Sequence, residues 1–191
     1  MTFGSATLKL SNEQALVARA KADPAAFAAI YDHYYPRIFN YVMMCLGSPE
    51  AANDVTAGVF EKILNTLDRY RPDRGEFGGW IFVIARNAVN SQRRADKRRR
   101  WLPLAMIDDV PTSEPGPETI AALREEHARL LNAIGVLAAH EQEIFALKFG
   151  ADLTNREIAT LVGRSESHIG VILYRGLRTL RRALEEKEMH E

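Results

Sequence analysis

One cysteine, Cys45, in 191 residues leaves no partner for an internal disulfide. Set in the apolar run Tyr41–Leu46, it reads as a small buried thiol rather than a reactive one. The five histidines, His33, His127, His140, His168 and His190, show no metal-ligand spacing with it, so neither a metal nor a cofactor is expected. A glycine-rich phosphate loop and a nucleophile arrangement are both missing, which argues against an enzyme. No window reaches the apolar length of a membrane span, about 20 residues, so no membrane insertion is expected. The N-terminus lacks a charged-then-apolar secretory pattern, so a cytoplasmic protein is the expectation. Net charge is absent too: 25 basic residues balance 25 acidic ones, which argues against a uniformly basic nucleic-acid coat. Strand-like alternation and internal repeats are not found.

What is present is apolar content, helical period and segregated charge. With 47% hydrophobic residues the chain can bury a real core. Arg86–Arg100 holds seven basic residues against one acidic, Asp108–Glu118 holds four acidic and no basic, and Lys148–Arg182 holds seven basic against three acidic. Two basic blocks around an acidic spacer point to two nucleic-acid contacts on one chain, against the plainer reading of solvated helix faces.

Nearly every segment repeats with a helical period. Ser11 with Gln14 is a candidate cap for a first helix after a loose arm, Met1–Leu10. Asp23-Pro24 is a cap followed by a favoured first-turn proline. The next helix runs to Leu46 with Phe27, Ile30, Tyr34, Ile38, Tyr41 and Val42 on one side. Gly47 ends it, and Ser48-Pro49 starts another reaching about Asp68. Arg71–Gly75 is a loop before a long helix over Phe77–Arg99, apolar first and basic later. Pro103–Pro117, with four prolines, is an extended connector. Helices resume near Glu118 and continue through His127–Leu137 and His140–Phe149. The expected fold is all-α: two small helical domains, 11–100 and 119–184, joined by an acidic proline-rich linker, 101–118, with a frayed acidic tail after Leu184.

Leu153–Arg182 carries the sharpest signal. Thr154 and Glu157 form a capping box, Gly163 suits a left-handed helix end, and Ser165 caps a second helix. Apolar residues of that helix recur at Ile169, Leu173, Leu177, Leu180 and Leu184. This is the layout of a helix-turn-helix whose second helix enters the DNA major groove.

From about residue 11 to 184, the chain resembles an extracytoplasmic-function (ECF) sigma factor, the smallest type of bacterial RNA polymerase specificity subunit. Phe27-Ala-Ala-Ile-Tyr-Asp-His-Tyr-Tyr35 is similar to the motif that opens the family's N-terminal domain, and Asn53–Phe60 to its core-binding helix. Gly79–Arg94 matches the family's W-L-x-x-I-A-R-N-x-x-x-D-x-x-R-R. Leu137–Arg182 supplies the C-terminal match. The resemblance implies that core RNA polymerase and promoter DNA are the partners, with an anti-sigma factor as a further one.

On this reading the N-terminal domain opens the promoter at its −10 element. The Arg86–Arg100 block, including Arg93 and Arg94, can track phosphates, and Asn87 and Asn90 have amides able to read base edges. Tyr70, Arg71, Arg74 and Phe77 offer faces for stacking on an unpaired base, about 1–3 kcal/mol each. Trp80 reads as core, while Phe77 stands evenly between core and stacking. In the helix-turn-helix, a turn of 100° per residue buries Ile169, Leu173, Gly176 and Leu180. The opposite face presents Ser167, Val171, Tyr174, Arg175 and Arg178 to the −35 element, with Arg164, Arg181 and Arg182 on phosphates. The family's usual polar or basic run is replaced by Gly170-Val171-Ile172, which leaves open a reading through DNA shape. The acidic linker resembles the segment that threads toward the polymerase active site, and equally suits a plain tether.

The core-binding helix departs from the family. Ala57-Gly58 stands where Gln-Glu is usual, so the central carboxylate is missing between Asp54 and Glu61. A mid-helix glycine also costs about 1 kcal/mol relative to alanine. Phosphorylation of Thr56 by a Ser/Thr kinase would restore negative charge beside the gap; a tolerated variation using Glu50, Asp54 and Glu61 is the alternative. Two other functions stay open from sequence: a stand-alone helix-turn-helix regulator with a helical sensor domain, and a helical partner-binding protein whose basic blocks are merely solvated.

Overall fold

The structure, a computed structural model, describes residues 13–99 and 134–188, and every regular element among them is helical. Helices α1 (Glu13–Ala20), α2 (Pro24–Leu46) and α3 (Pro49–Thr66) lead through two short 3₁₀ turns, Leu67–Arg69 and Pro72–Arg74, into α4 (Phe77–Arg99). After the undescribed stretch come α5 (Ala139–Phe145), a π-helical turn over Ala146–Gly150, α6 (Asn155–Val162) and α7 (Glu166–Glu188). The N-terminal arm with Ser11, the acidic linker, the helices expected between 118 and 133, and the extreme C-terminus lie outside the described residues.

Local chemistry sets the helix boundaries. The Asp23 carboxylate accepts from the Ala25 N–H at 2.9 Å, and Ser48 Oγ from Ala51 at 3.2 Å. Each such cap typically stabilises a helix by about 1 kcal/mol. The Thr154–Glu157 box is complete: Glu157 N donates to Thr154 Oγ1 at 3.2 Å, and Thr154 N donates to the Glu157 carboxylate at 2.7 Å. Gly163 then turns with φ 68°, a conformation that L side chains rarely adopt, and Ser165 Oγ accepts from His168 N at 3.2 Å to start α7. Pro36 sits inside α2 and removes one backbone donor. Helix α2 persists because Phe27, Ile30, Tyr34, Ile38, Tyr41 and Val42 are all buried on its expected face. Each large apolar side chain so buried contributes about 1.5–3 kcal/mol.

That face meets Val59, Phe60 and Ile63 of α3 and Ile81, Phe82 and Ala85 of α4. It also meets the C-terminal helices. Ile144, Phe145, Ala146 and Leu147 join the same core, with the π-helical turn packed on α2 and α6 against α4. The described parts of the two helical groups therefore share one interior. One further expectation changes. The single helix over His140–Phe149 becomes α5 plus the widened turn, which carries Ala146, Leu147 and Gly150 into the interior. On α7 the 100° period holds: Gly176 takes the buried position against Phe145, and Leu177 beside it is exposed.

Candidate nucleic-acid interface

Helix α7 carries an outward stripe set by its period. Ile169, Ile172, Leu173, Gly176 and Leu180 face inward, so Ser167, Val171, Tyr174, Arg175 and Arg178 all stand exposed, Tyr174 at 64% of its surface. Arg164 in the turn and Arg181 and Arg182 further along are exposed as well. The arrangement joins an aromatic face, apolar contact atoms and five guanidinium groups on one side of the motif. Such a surface can meet base edges and phosphates together.

The loop before α4 is arranged differently. Arg71 and Arg74 are exposed, but Phe77 is fully buried and Tyr70 is 3% exposed. The rings of Tyr70 and Phe77 meet edge to face at 5.0 Å, Phe77 stacks with Trp80 at 5.6 Å, and Tyr34 closes the cluster 6.0 Å from Phe77. Tyr70 Oη donates to the Gly75 carbonyl at 3.0 Å, tying the loop to its own base. The two aromatics expected to stack on a base are thus core residues in this conformation, and the half-buried Trp80 packs against them. The physical reason is that the rings of Tyr34, Tyr70, Phe77 and Trp80 shield one another from water in one cluster, which draws Tyr70 and Phe77 inward.

Along α4, Asn87 and Arg94 are exposed, whereas Asn90 is half-buried. Arg93 is also half-buried and donates Nη2 to the Cys45 carbonyl at 2.9 Å, so it neutralises the carbonyl end of α2. Cys45 itself is buried, and loss of water pushes its thiol up to about 12, which makes it inert as expected.

On α3, Asp54, Ala57, Gly58 and Glu61 share the exposed face, and a Cβ added at Gly58 would meet nothing within 4 Å. Thr56 lies on the opposite face, fully buried, with its hydroxyl lacking a hydrogen-bond partner. A kinase has no access to it in this conformation, which corrects the expectation of a ready phosphorylation site.

Sequence reasoning missed two arginines that the tertiary structure singles out. Arg86 reaches from α4 to the C-terminal helices, donating Nε and Nη2 to the two Glu143 oxygens at 2.8 and 3.4 Å and Nη1 to the Leu161 carbonyl at 3.4 Å. The carboxylate bond holds its pKa above the ordinary arginine value. Arg37 of α2 lies over the rings of Tyr34 and Phe82, each 5.4 Å away, and donates Nε to the Ala151 carbonyl at 2.9 Å. Burial pulls its pKa down from the usual value. Between these helical groups opens a cleft of about 1080 Å³ whose walls include Arg71, Arg74 and Trp80 on one side and Arg156 and Thr160 of α6 on the other. No sequence signal marks these contacts, since the partners are 57 to 114 residues apart. Among the described residues no group of histidine, cysteine, aspartate and glutamate could hold a metal ion, and no helix is long and apolar enough to cross a membrane.

Two models of the sigma-70 class match the chain in the order of these elements: Sigma-70 region 2 over residues 30–99, and Sigma-70 region 4 over residues 127–180. The ECF RNA polymerase sigma factor RpoE of Cereibacter sphaeroides is 31% identical over 152 residues, 76% of this chain and 78% of that protein. The ECF sigma factor BldN of Streptomyces coelicolor is 31% identical over 170 residues, 88% of this chain but only 64% of the length of BldN. The fold agrees with that of the sigma factor RpoE solved in complex with the anti-sigma factor NepR from Bartonella quintana, at a TM-score of 0.64 and 18% identity over 83% of this chain and 96% of that one. The chain belongs to the ECF sigma-factor family.

Proposed function

We propose that this chain binds core RNA polymerase, directs it to specific promoters and takes part in opening them. The observation that carries the reading is the exposed stripe Ser167–Val171–Tyr174–Arg175–Arg178 on a helix-turn-helix, in the same chain as the basic end of α4. In this reading residues 119–184 recognise the −35 element and residues 11–100 bind polymerase and engage the −10 element, with 101–118 as the linker. Arg71, Arg74, Asn87 and Arg94 are the groups available at the −10 strand. Polymerase meets the exposed Asp54–Glu61 face of α3, where the missing central carboxylate weakens attraction to a basic partner. Gating by Thr56 phosphorylation has no support here, because a phosphate on that side would require α3 to lift from the core. An anti-sigma factor is the regulatory partner proposed, by analogy with the Bartonella protein. The place of action is the cytoplasm, with the polymerase.

The test is assembly with purified core polymerase at moderate salt, followed by transcription from a selected promoter. Arg175→Ala is expected to lower −35-dependent transcription about tenfold, equivalent to ~1.4 kcal/mol, while leaving core affinity unchanged. Gly58→Glu is expected to raise core affinity. Sequence-specific duplex binding with no polymerase association at any salt concentration would replace this reading with the stand-alone regulator.

A further inference from the structure

Helix α7 carries one residue that its own fold does not explain. Val171 stands 44% exposed in the middle of the outward stripe, one turn after Ser167 and one turn before Arg175. The adjacent Ile172 is buried, so of the two aliphatic side chains only Val171 points away from the core. Helix propensity does not call for it either, since a β-branched residue is a poorer helix former than the arginine, leucine and alanine found further along. Gly170 beside it is poorer still. A Cβ added there would meet nothing nearer than Asn155 Nδ2, at 4.0 Å, so packing leaves room for a larger residue. Two weak helix formers thus follow one another in the N-terminal half of the helix, with no structural need for either. Such local inconsistency marks positions held for function.

The chemistry of the major groove limits what a valine can read there. Base edges present donors and acceptors, and the one apolar feature among them is the methyl at C5 of thymine. A side chain without polar atoms satisfies no donor or acceptor, and pressing it on a cytosine amino group or a guanine carbonyl strips water without replacement. Against a C5 methyl the same contact removes two apolar surfaces from water. 5-Methylcytosine places an identical methyl at the same point of the groove. Valine suits the task mechanically, because one χ1 rotamer dominates in a helix and its methyls are already aimed. It is also short, so the helix has to come close, and the missing side chain at Gly170 permits that approach.

We propose that Val171 reads the C5 methyl group of a pyrimidine at one position of the −35 element, so that full promoter affinity depends on that methyl. This contact rests on the promoter-directing function proposed above. Direct contact and recognition through duplex shape then differ in one respect. A direct contact is lost when either partner is trimmed, whereas the shape of the duplex does not depend on the side chain at position 171.

The test uses holoenzyme assembled from the full chain and core polymerase to enrich duplexes randomised across the −35 region. The enriched duplex is then compared with versions carrying deoxyuridine in place of each thymine of either strand, one at a time. Uracil pairs as thymine does and lacks only the methyl. For the wild type, one such replacement is expected to weaken binding about three- to fivefold, the effect of one buried methyl. Val171→Ala should bind the two duplexes equally, and Val171→Ile should keep the preference. Cytosine and 5-methylcytosine at the sensitive position, each opposite guanine, tell the two methyl sources apart. Tighter binding on methylation, abolished in Val171→Ala, assigns the contact to the methyl of either base, and no gain confines it to thymine. Sensitivity to deoxyuridine that persists in Val171→Ala belongs to duplex shape and overturns the methyl contact, as does a wild type indifferent to every replacement. No assembly with polymerase, or enrichment of no sequence at all, overturns the promoter-directing function itself and the contact with it.

Discussion

The loop leading into α4 and the helix that ends the chain hold the same residue types, arginine and aromatic, and place them oppositely. In α7, Tyr174 is 64% exposed beside Arg175 and Arg178, so aromatic and cation stand together facing outward. In the loop, Arg71 and Arg74 face outward while Tyr70 and Phe77 close over Tyr34. A helix assigns its faces by a strict 100° period, so one buried residue dictates the orientation of all the others. A loop has no period, and its side chains go wherever the neighbouring core is incomplete. The α7 stripe proposed for the −35 element therefore needs no rearrangement, whereas a −10 reader made of Tyr70 and Phe77 would have to withdraw rings from the core.

Three substitutions break or sharpen that contrast. The largest effect is expected for Phe77→Ala, which empties a fully buried site at the meeting of Tyr34, Tyr70 and Trp80. A loss of about 3–5 kcal/mol in urea unfolding is expected. Unchanged stability with lost promoter melting would restore Phe77 as a base-stacking residue. Gly176→Ala comes next. Its Cβ would lie 2.5 Å from Phe145 Cε2, deep under α7, and overpacking of that kind costs about 1–3 kcal/mol. The melting temperature should fall, and −35 binding should fall with it, because the exposed stripe is positioned by this contact. Stability equal to wild type would show that Phe145 can swing aside. The smallest effect is expected for Gly58→Ala on α3. A Cβ there meets nothing within 4 Å, so the gain is the helix-propensity difference of up to about 1 kcal/mol, read as a raised denaturation midpoint. A loss of stability would mean that this exposed face is constrained in a way the free chain does not display.

Much of this architecture is legible in the residues. Asp23-Pro24, Gly47, Ser48-Pro49 and Thr154–Glu157 mark helix ends because capping is chemistry between neighbours a few residues apart. The period of α2 reveals its buried face for the same reason, as does that of α7. Phe77 remains ambiguous because a helix start can turn its first side chain either way. Thr56 looks available because it neighbours Ala57 and Gly58, yet one residue of helix rotates it 100° onto the core side. Arg86 reads as one of seven basic residues in its block, since nothing local distinguishes a cation that finds Glu143 from one left in water.

By itself, the sequence determined the all-helical class, the helix-turn-helix, the outward polar stripe of α7 and the family, since each depends on periodicity, capping or spacing within short stretches of chain. Tertiary structure alone decided that Tyr70 and Phe77 turn inward, that Thr56 is sealed, and that Arg37, Arg86 and Gly150 join the two helical groups. Those outcomes depend on which surfaces meet across long separations, and the competition among many possible partners is settled only when the core closes.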